Sequence, residues 1–194
     1  MCRQKENERG IVLIEKAKNA IMNERESIPH VGNFEKVSFA QFKKDLKSDL
    51  GEADVFNCWD GIKLPSRATS GSEGYDFYCP QDIIVPGDGK PVTIKTGIRV
   101  KTKHGWVLLI VPRSSLGFKY GVRLVNTVGV IDEDFAYSDN EGHIMIRIKK
   151  DADGEPLVIR AGERFAQGLF LPIGITDDDN ATAVRNGGIG STGL

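Results

Sequence analysis

The chain has 194 residues, 40% hydrophobic and 27% charged, which suits one globular domain plus an extension rather than a disordered or membrane protein. Lys+Arg 26 against Asp+Glu 27 leaves a formal net charge of −1, far from the basic footprint of a duplex-binding protein, so no stable nucleic-acid binding is expected. Cys2, Cys58 and Cys79 are an odd number without CxxC spacing; this argues against a disulfide framework or zinc site and for a reducing, cytoplasmic setting. The N-terminal MCRQKENERG is charged and the apolar run from Ile11 to Ile14 is short, so neither a signal peptide nor a membrane span is expected.

Residues 10–26 place Ile11, Ile14, Ala17, Lys18 and Ile21 near one helical face, predicting an amphipathic helix that ends before Pro29. Ser38-Phe39-Ala40-Gln41 has the form of a capping box ahead of Phe42 and Leu46, predicting a second helix over 38–50. From Ile62 onward turn residues recur and the apolar period becomes two. That change predicts a boundary near 58–62, between an α-helical N-terminal extension (1–58) and a β domain (59–194). Val92, Ile94, Thr96, Ile98 and Val100 alternate with polar or small neighbours, as do Ile144, Ile146 and Ile148; both read as half-buried antiparallel strands. Trp106 to Val111 is a continuous apolar run, predicting a strand buried on both faces, and Leu157 to Ile159 begins another. Asp88-Gly89 and Asp153-Gly154 supply turns. The expected fold class is mainly β, a β-sandwich or jelly roll with a helical N-terminal extension.

Five segments could carry chemistry. Pro112-Arg113-Ser114-Ser115-Leu116-Gly117 joins a fixed cation to two hydroxyls on one turn, which suits a phosphate and equally suits a helix cap. Asn126-Thr127-Val128-Gly129-Val130-Ile131-Asp132 reads as a strand or hairpin in which Gly129 allows close backbone approach, ending in a carboxylate that could be catalytic or a turn residue. Arg164 and Gln167 flank Phe165 and Ala166 in what reads first as a β-turn leading into the strand from Leu169 to Pro172. Arg185-Asn186-Gly187-Gly188-Ile189-Gly190-Ser191-Thr192-Gly193 has little with which to build a core; it suits a flap (about 183–194) ordering over phosphates, or a polar tail. Tyr75-Asp76-Phe77 precedes a strand, with Asp76 a turn or buried structural carboxylate.

Taken together and in order, YDF at 75–77, PRSSLG at 112–117, NTVGVIDED at 126–134, RFAQ at 164–167 and RNGGIGSTG at 185–193 resemble the five motifs of the trimeric dUTP diphosphatase (dUTPase) family. The resemblance covers roughly 62–194 and leaves 1–58 aside. It implies a jelly-roll subunit, a homotrimer with active sites at subunit interfaces, and Mg²⁺-dependent hydrolysis of dUTP to dUMP and pyrophosphate, which limits uracil in DNA and supplies dUMP for dTMP synthesis. By the same resemblance, Asp132 is the base that deprotonates the water attacking the α-phosphorus. Asn126 and the backbone of Gly129, Val130 and Ile131 hold uracil's edge and exclude thymine's methyl. Arg113, Ser114, Ser115 and Gln167 contact phosphate, and Arg185 with the backbone of Gly188, Ile189, Gly190, Ser191 and Thr192 closes over the β- and γ-phosphates. Asp76 and Arg164 support the site. Mg²⁺ is held through triphosphate and water, with no direct protein ligand.

Two positions depart from the family pattern. Phe135 stands where a tyrosine usually packs on the deoxyribose, and Ile189 where a phenylalanine usually stacks over uracil. The segment from Ala136 to Asn140 is longer than the usual turn, which leaves Tyr137 as a partial substitute for the missing tyrosine, and His143 reads as a surface strand residue. Two other readings stay open: a dCTP deaminase-like enzyme, for which the glutamate base is missing from Val130-Ile131-Asp132, and a nucleotide-binding regulator without turnover.

Overall fold

The structure, a computed structural model, describes residues 11, 14–16, 28–47, 49–151 and 154–187. The chain divides into two compact units, Met1–Val31 and Gly32–Leu194. In the first, Ile11 and residues 14–16 are helical, and the rest of the helix expected over 10–26 lies outside the described residues.

The second unit is mainly β, and every strand pairing in it is antiparallel. Its five-stranded sheet runs in the order β2 (Ser66–Arg67), β3 (Tyr75–Tyr78), β12 (Arg164–Pro172), β7 (Trp106–Pro112), β9 (Gly129–Ile131). A three-stranded sheet has β5 (Val92–Lys95), β10 (Met145–Lys150) and β8 (Val122–Leu124), while β1 (Gly32–Lys36) pairs with β6 (Ile98–Thr102) and β11 (Leu157–Ile159) with β4 (Ile83–Val85). The period-two pattern holds along β10, where Ile146 and Ile148 are buried and Arg147 is exposed. Along β7, however, only Leu108 and Ile110 are fully buried; their neighbours are half-buried, so this strand alternates although its sequence does not. The stretch expected as one strand from 92 to 100 is two strands in different sheets. It breaks at Gly97, whose φ of +71° is a left-handed conformation that favours glycine.

Ser38 caps the first helix of this unit, α1 (Phe39–Leu46), its hydroxyl accepting from the Gln41 amide at 3.1 Å. The helix stops at Lys47, in the left-handed conformation, and a further helix, α2 (Glu52–Asp60), follows. Phe42 and Val55 from these helices belong to the same apolar core as Phe77, Leu108, Ile110, Ile148 and Phe165. Full burial of a side chain such as Phe42 contributes about 1.5–3 kcal/mol. The strand β1 was not expected. It pairs with β6 from Gly32↔Thr102 to Lys36↔Ile98, and Glu35 accepts from Arg99 (2.7 and 3.0 Å) and Lys101 (3.0 Å). The compact unit thus begins at Gly32, whereas the change in sequence texture placed a boundary at 58–62.

His143 is no surface residue: it is fully buried. Its Nε2 accepts from the Gly97 amide at 2.8 Å, so Nδ1 carries the proton and donates it to Asp45 Oδ2 at 2.7 Å. Burial pushes the imidazole pKa down, against the pull of the Asp45 carboxylate. Cys58 and Cys79 are free thiols, and burial pushes Cys79 up to about 12, which leaves it an inert thiol.

Candidate active site

The strand β7 organises the site because it lies between β12 and β9, with Val111 opposite Gln167 and Ile110 opposite Gly129. Beyond Pro112 the chain turns into α3 (Ser114–Tyr120). Arg113 holds the cap position and its side chain makes no capping hydrogen bond, while Ser114 and Ser115 fall inside the helix rather than at its cap. Arg113 Nε instead lies 3.3 Å from Asp76 Oδ1, and Arg164 Nη1 donates to Asp76 Oδ2 at 3.1 Å. Asp76 is buried on β3, directly opposite Gln167 on β12. One carboxylate thus holds two guanidinium groups and orients both. RFAQ is part of β12 rather than the turn its sequence suggested; the turn comes earlier, at Gly162, with φ +77°. Gln167 turns toward β3, its Oε1 falling 2.5 Å from where a Cβ on Gly74 would stand. Arg113, Ser115, Lys119 and Arg164 line a cleft of about 410 Å³ together with Glu163 and apolar residues, a concave surface that sets cations beside a hydroxyl, and Ser114 is exposed beside it.

A second cleft, of about 520 Å³, is lined by Asn126, Gly129, Val130, Ile131, Asp132, Phe135 and Arg185, with Leu124, Ile144 and Ile146 among its apolar walls. Its edge is the connection from β8 to β9, which passes from one sheet to another. Thr127 takes a φ of +64°, and the Val128 amide donates to the Asn126 carbonyl at 2.6 Å, making a tight corner. A Cβ on Gly129 would stand 3.1 Å from Ile110 Cβ, so the small residue lets the hairpin lie close against β7. Phe135 is 7% exposed and closes the cleft from the core side, within a 3₁₀ turn from Asp134 to Tyr137. Tyr137 on the same turn is 77% exposed and does not line this cleft.

Asp132 projects at the rim, its side chain 56% exposed. Arg185 Nη2 donates to Asp132 Oδ2, and Arg185 Nε donates to Asp134 Oδ1 at 2.9 Å. The guanidinium carbon stands 5.9 Å from the Phe135 ring centroid, within cation–π range, and Ser138 Oγ donates to the Gly187 carbonyl at 3.2 Å. Next along, the Glu133 carboxylate holds exposed His104 at 2.9 Å, a hydrogen bond that raises the imidazole pKa. Asp134 and Ser138 are contacts that sequence reading passed over. An aspartate two residues from Asp132 was visible, but nothing in the chain marked Ser138.

Most of the expected site residues therefore fall into two groups, while Ser114 and Gln167 line neither cleft. Asp76, Arg113, Ser115 and Arg164 gather at one end of β7; Asn126, Gly129, Val130, Ile131, Asp132, Phe135 and Arg185 surround the other cleft. Among the described residues the two clefts share no lining residue. Gly188, Ile189, Gly190, Ser191 and Thr192 lie outside the described residues.

A mainly β unit with a phosphate-suited cleft and a separate cleft under a carboxylate has the makings of a nucleotide-handling protein. A family model described as dUTPase matches residues 60–193. The deoxyuridine 5'-triphosphate nucleotidohydrolase of Lactococcus lactis subsp. lactis (strain IL1403) is 41% identical over 137 residues, 69% of this chain and 89% of that one. The enzyme of the same name from Hydrogenobaculum sp. (strain Y04AAS1) is 35% identical over 136 residues, covering 68% and 90%. The crystal structure of dUTPase from Streptococcus mutans superposes with a TM-score of 0.58 at 32% identity, covering 75% of this chain and 98% of that one. A point mutant of the dUTPase from phage phi11 of S. aureus, described for its coordination of a structural Mg(II) ion, shares the fold at 18% identity with a TM-score of 0.56, covering 79% and 98%. The chain belongs to the dUTPase family.

Proposed function

We propose that this chain is a dUTP diphosphatase that hydrolyses dUTP to dUMP and pyrophosphate, with Asp132 activating the water that attacks the α-phosphorus. The observation that carries the reading is the placement of Asp132 on the rim of the cleft edged by the Asn126–Ile131 hairpin. That hairpin offers backbone amides, carbonyls and the Asn126 side chain to a base edge, over apolar walls. Such a site discriminates because a wrong base leaves buried polar groups unpaired. Phe135 gives the sugar an apolar wall without a phenol hydroxyl, and Ile189 would cover the base without stacking on it. Arg113, Ser114, Ser115 and Gln167 receive phosphate oxygens, with Asp76 fixing Arg113 and Arg164; Arg185 and the segment Gly188–Thr192 close over the β- and γ-phosphates.

Magnesium fits as an ion carried by the triphosphate. The phosphate-facing donors are guanidinium groups, hydroxyls and an amide, which meet anions, and no group of three or more His, Cys, Asp or Glu suited to a metal is present among the described residues. The solvent-facing carboxylates of Asp132 and Asp134 suit hydrogen bonds to the ion's water shell. When bound, the ion would neutralise phosphate charge and make the α-phosphorus more electrophilic. The protein's part is orientation of the phosphates, acceptance of the water's proton at an Asp132 oxygen, and cover from solvent.

The separation of the two clefts supports a site completed between subunits, in a homotrimer. The cellular role proposed with this activity is limitation of uracil in DNA and supply of dUMP for dTMP synthesis, in the cytoplasm. The test is pyrophosphate release from dUTP against dCTP, dTTP and UTP in H₂¹⁸O. The expected result is activity on dUTP alone, with ¹⁸O in dUMP. Label in pyrophosphate would refute attack at the α-phosphorus, ammonia release from dCTP would favour a deaminase, and binding without turnover a regulator.

A further inference from the structure

Arg185 is held more firmly than a residue of a polar tail needs to be. Its side chain is 16% exposed, while Val184 just before it is 84% exposed. Four groups receive the chain here, and all come from residues 132–138: the Asp132 and Asp134 carboxylates, the Phe135 ring and the Ser138 hydroxyl. Two carboxylates on one guanidinium, an aromatic face beneath it and a hydrogen bond to the backbone two residues on make a built seat.

We infer that Asp134, Phe135 and Ser138 form a resting seat for Arg185, in which the guanidinium covers Asp132, and that nucleotide phosphates compete for the same arginine. The inference rests on the proposed roles of Asp132 as base and Arg185 as phosphate contact. A guanidinium on Asp132 Oδ2 occupies an oxygen that an attacking water needs. It cannot at the same time serve a phosphate elsewhere in the site. The seat therefore keeps the base covered until a ligand with enough negative charge draws the arginine away, and it takes the arginine back when pyrophosphate leaves. Asp134 is a positioning residue in this exchange: it holds the Nε edge while the Nη2 edge covers Asp132. The free energy of the seat opposes every ligand that uses Arg185, so its removal tightens apparent binding.

Trypsin reads the seat directly, because cleavage after Arg185 requires the side chain to leave it and releases the peptide 186–194, visible as a loss of intact mass. Without nucleotide, Asp134→Asn and the uncharged change Ser138→Ala are expected to speed this cleavage about three- to tenfold, in the regime where cleavage follows the open population. Each variant's melting midpoint is measured alongside, so that general unfolding is recognised. Both variants should also lower the Kd for the non-hydrolysable analogue dUpNHpp by a similar factor; Ser138→Ala separates loss of the seat from the mere loss of a negative charge. Equal cleavage of wild type and both variants would overturn the seat. Faster cleavage with an unchanged or raised Kd in Ser138→Ala would overturn the competition. Failure of the wild type to hydrolyse dUTP would strike the functional reading instead, and the cleavage result would still report on the seat.

Discussion

Two aspartates at this site differ through their surroundings. Asp76 is 6% exposed and shared between Arg113 and Arg164, so its charge is taken up in holding two cations in place. Asp132 stands at the cleft rim, its side chain 56% exposed with Arg185 on its Oδ2. In the proposed mechanism only the second accepts a proton. Asp132→Asn keeps the size of the side chain and removes the base, so kcat should fall about 10²- to 10⁴-fold while dUTP still binds. Single-turnover kinetics with a separate binding measurement checks this, and retention of near-wild-type kcat would remove Asp132 from the role of base.

At the scale of elements, the helix α1 is fastened to the loop ahead of β10 at two points. Glu141 accepts from the Ser38 amide (2.8 Å) and hydroxyl (2.6 Å), and His143 bridges Asp45 to the Gly97 amide. The second link requires a neutral imidazole, since Nε2 must accept. The folded-state pKa of His143 lies below the ordinary value of 6.5, so below about pH 6.5 the unfolded chain binds a proton that the folded chain refuses. The stabilisation is complete above that pH and is lost as pH falls toward the depressed folded-state value. Thermal midpoints at fixed protein concentration between pH 8 and 5 should fall for the wild type, and His143→Gln should flatten part of that fall. Identical pH profiles for the two would show that this histidine contributes nothing to the acid response. Ser38 was legible as a cap from its spacing to Gln41. Its partner Glu141 was not, because 103 residues separate them in the chain.

At the scale of the whole molecule, one chain presents a cleft bearing Arg113 and another bearing Asp132. If subunits pair these clefts, two defective chains can rescue each other. Asp132→Asn and Arg113→Ala chains, each inactive alone, should recover about a quarter of wild-type activity when co-assembled at random, since one site in four receives both intact residues. No recovery in demonstrably mixed oligomers would place the whole site within one chain. The family match covers 60–193, yet the compact unit begins at Gly32. The segment 32–59 lies outside that match and shares the core, through Phe42, Val55 and the β1–β6 pairing.

The sequence by itself determined the fold class, the order of the motif segments and the residue types that meet base and phosphate, because strand periodicity, turn chemistry and local spacing are short-range properties. It also contained the family resemblance in five ordered segments. Only tertiary structure decided which of those segments meet. It split the 92–100 stretch at Gly97, buried His143 against Asp45 98 residues away, and set Arg185 on Asp132 and Asp134. It also drew residues 32–58 into the β unit. Each of these depends on backbone pairing or side-chain contact between positions far apart in the chain, for which no local pattern carries a signal.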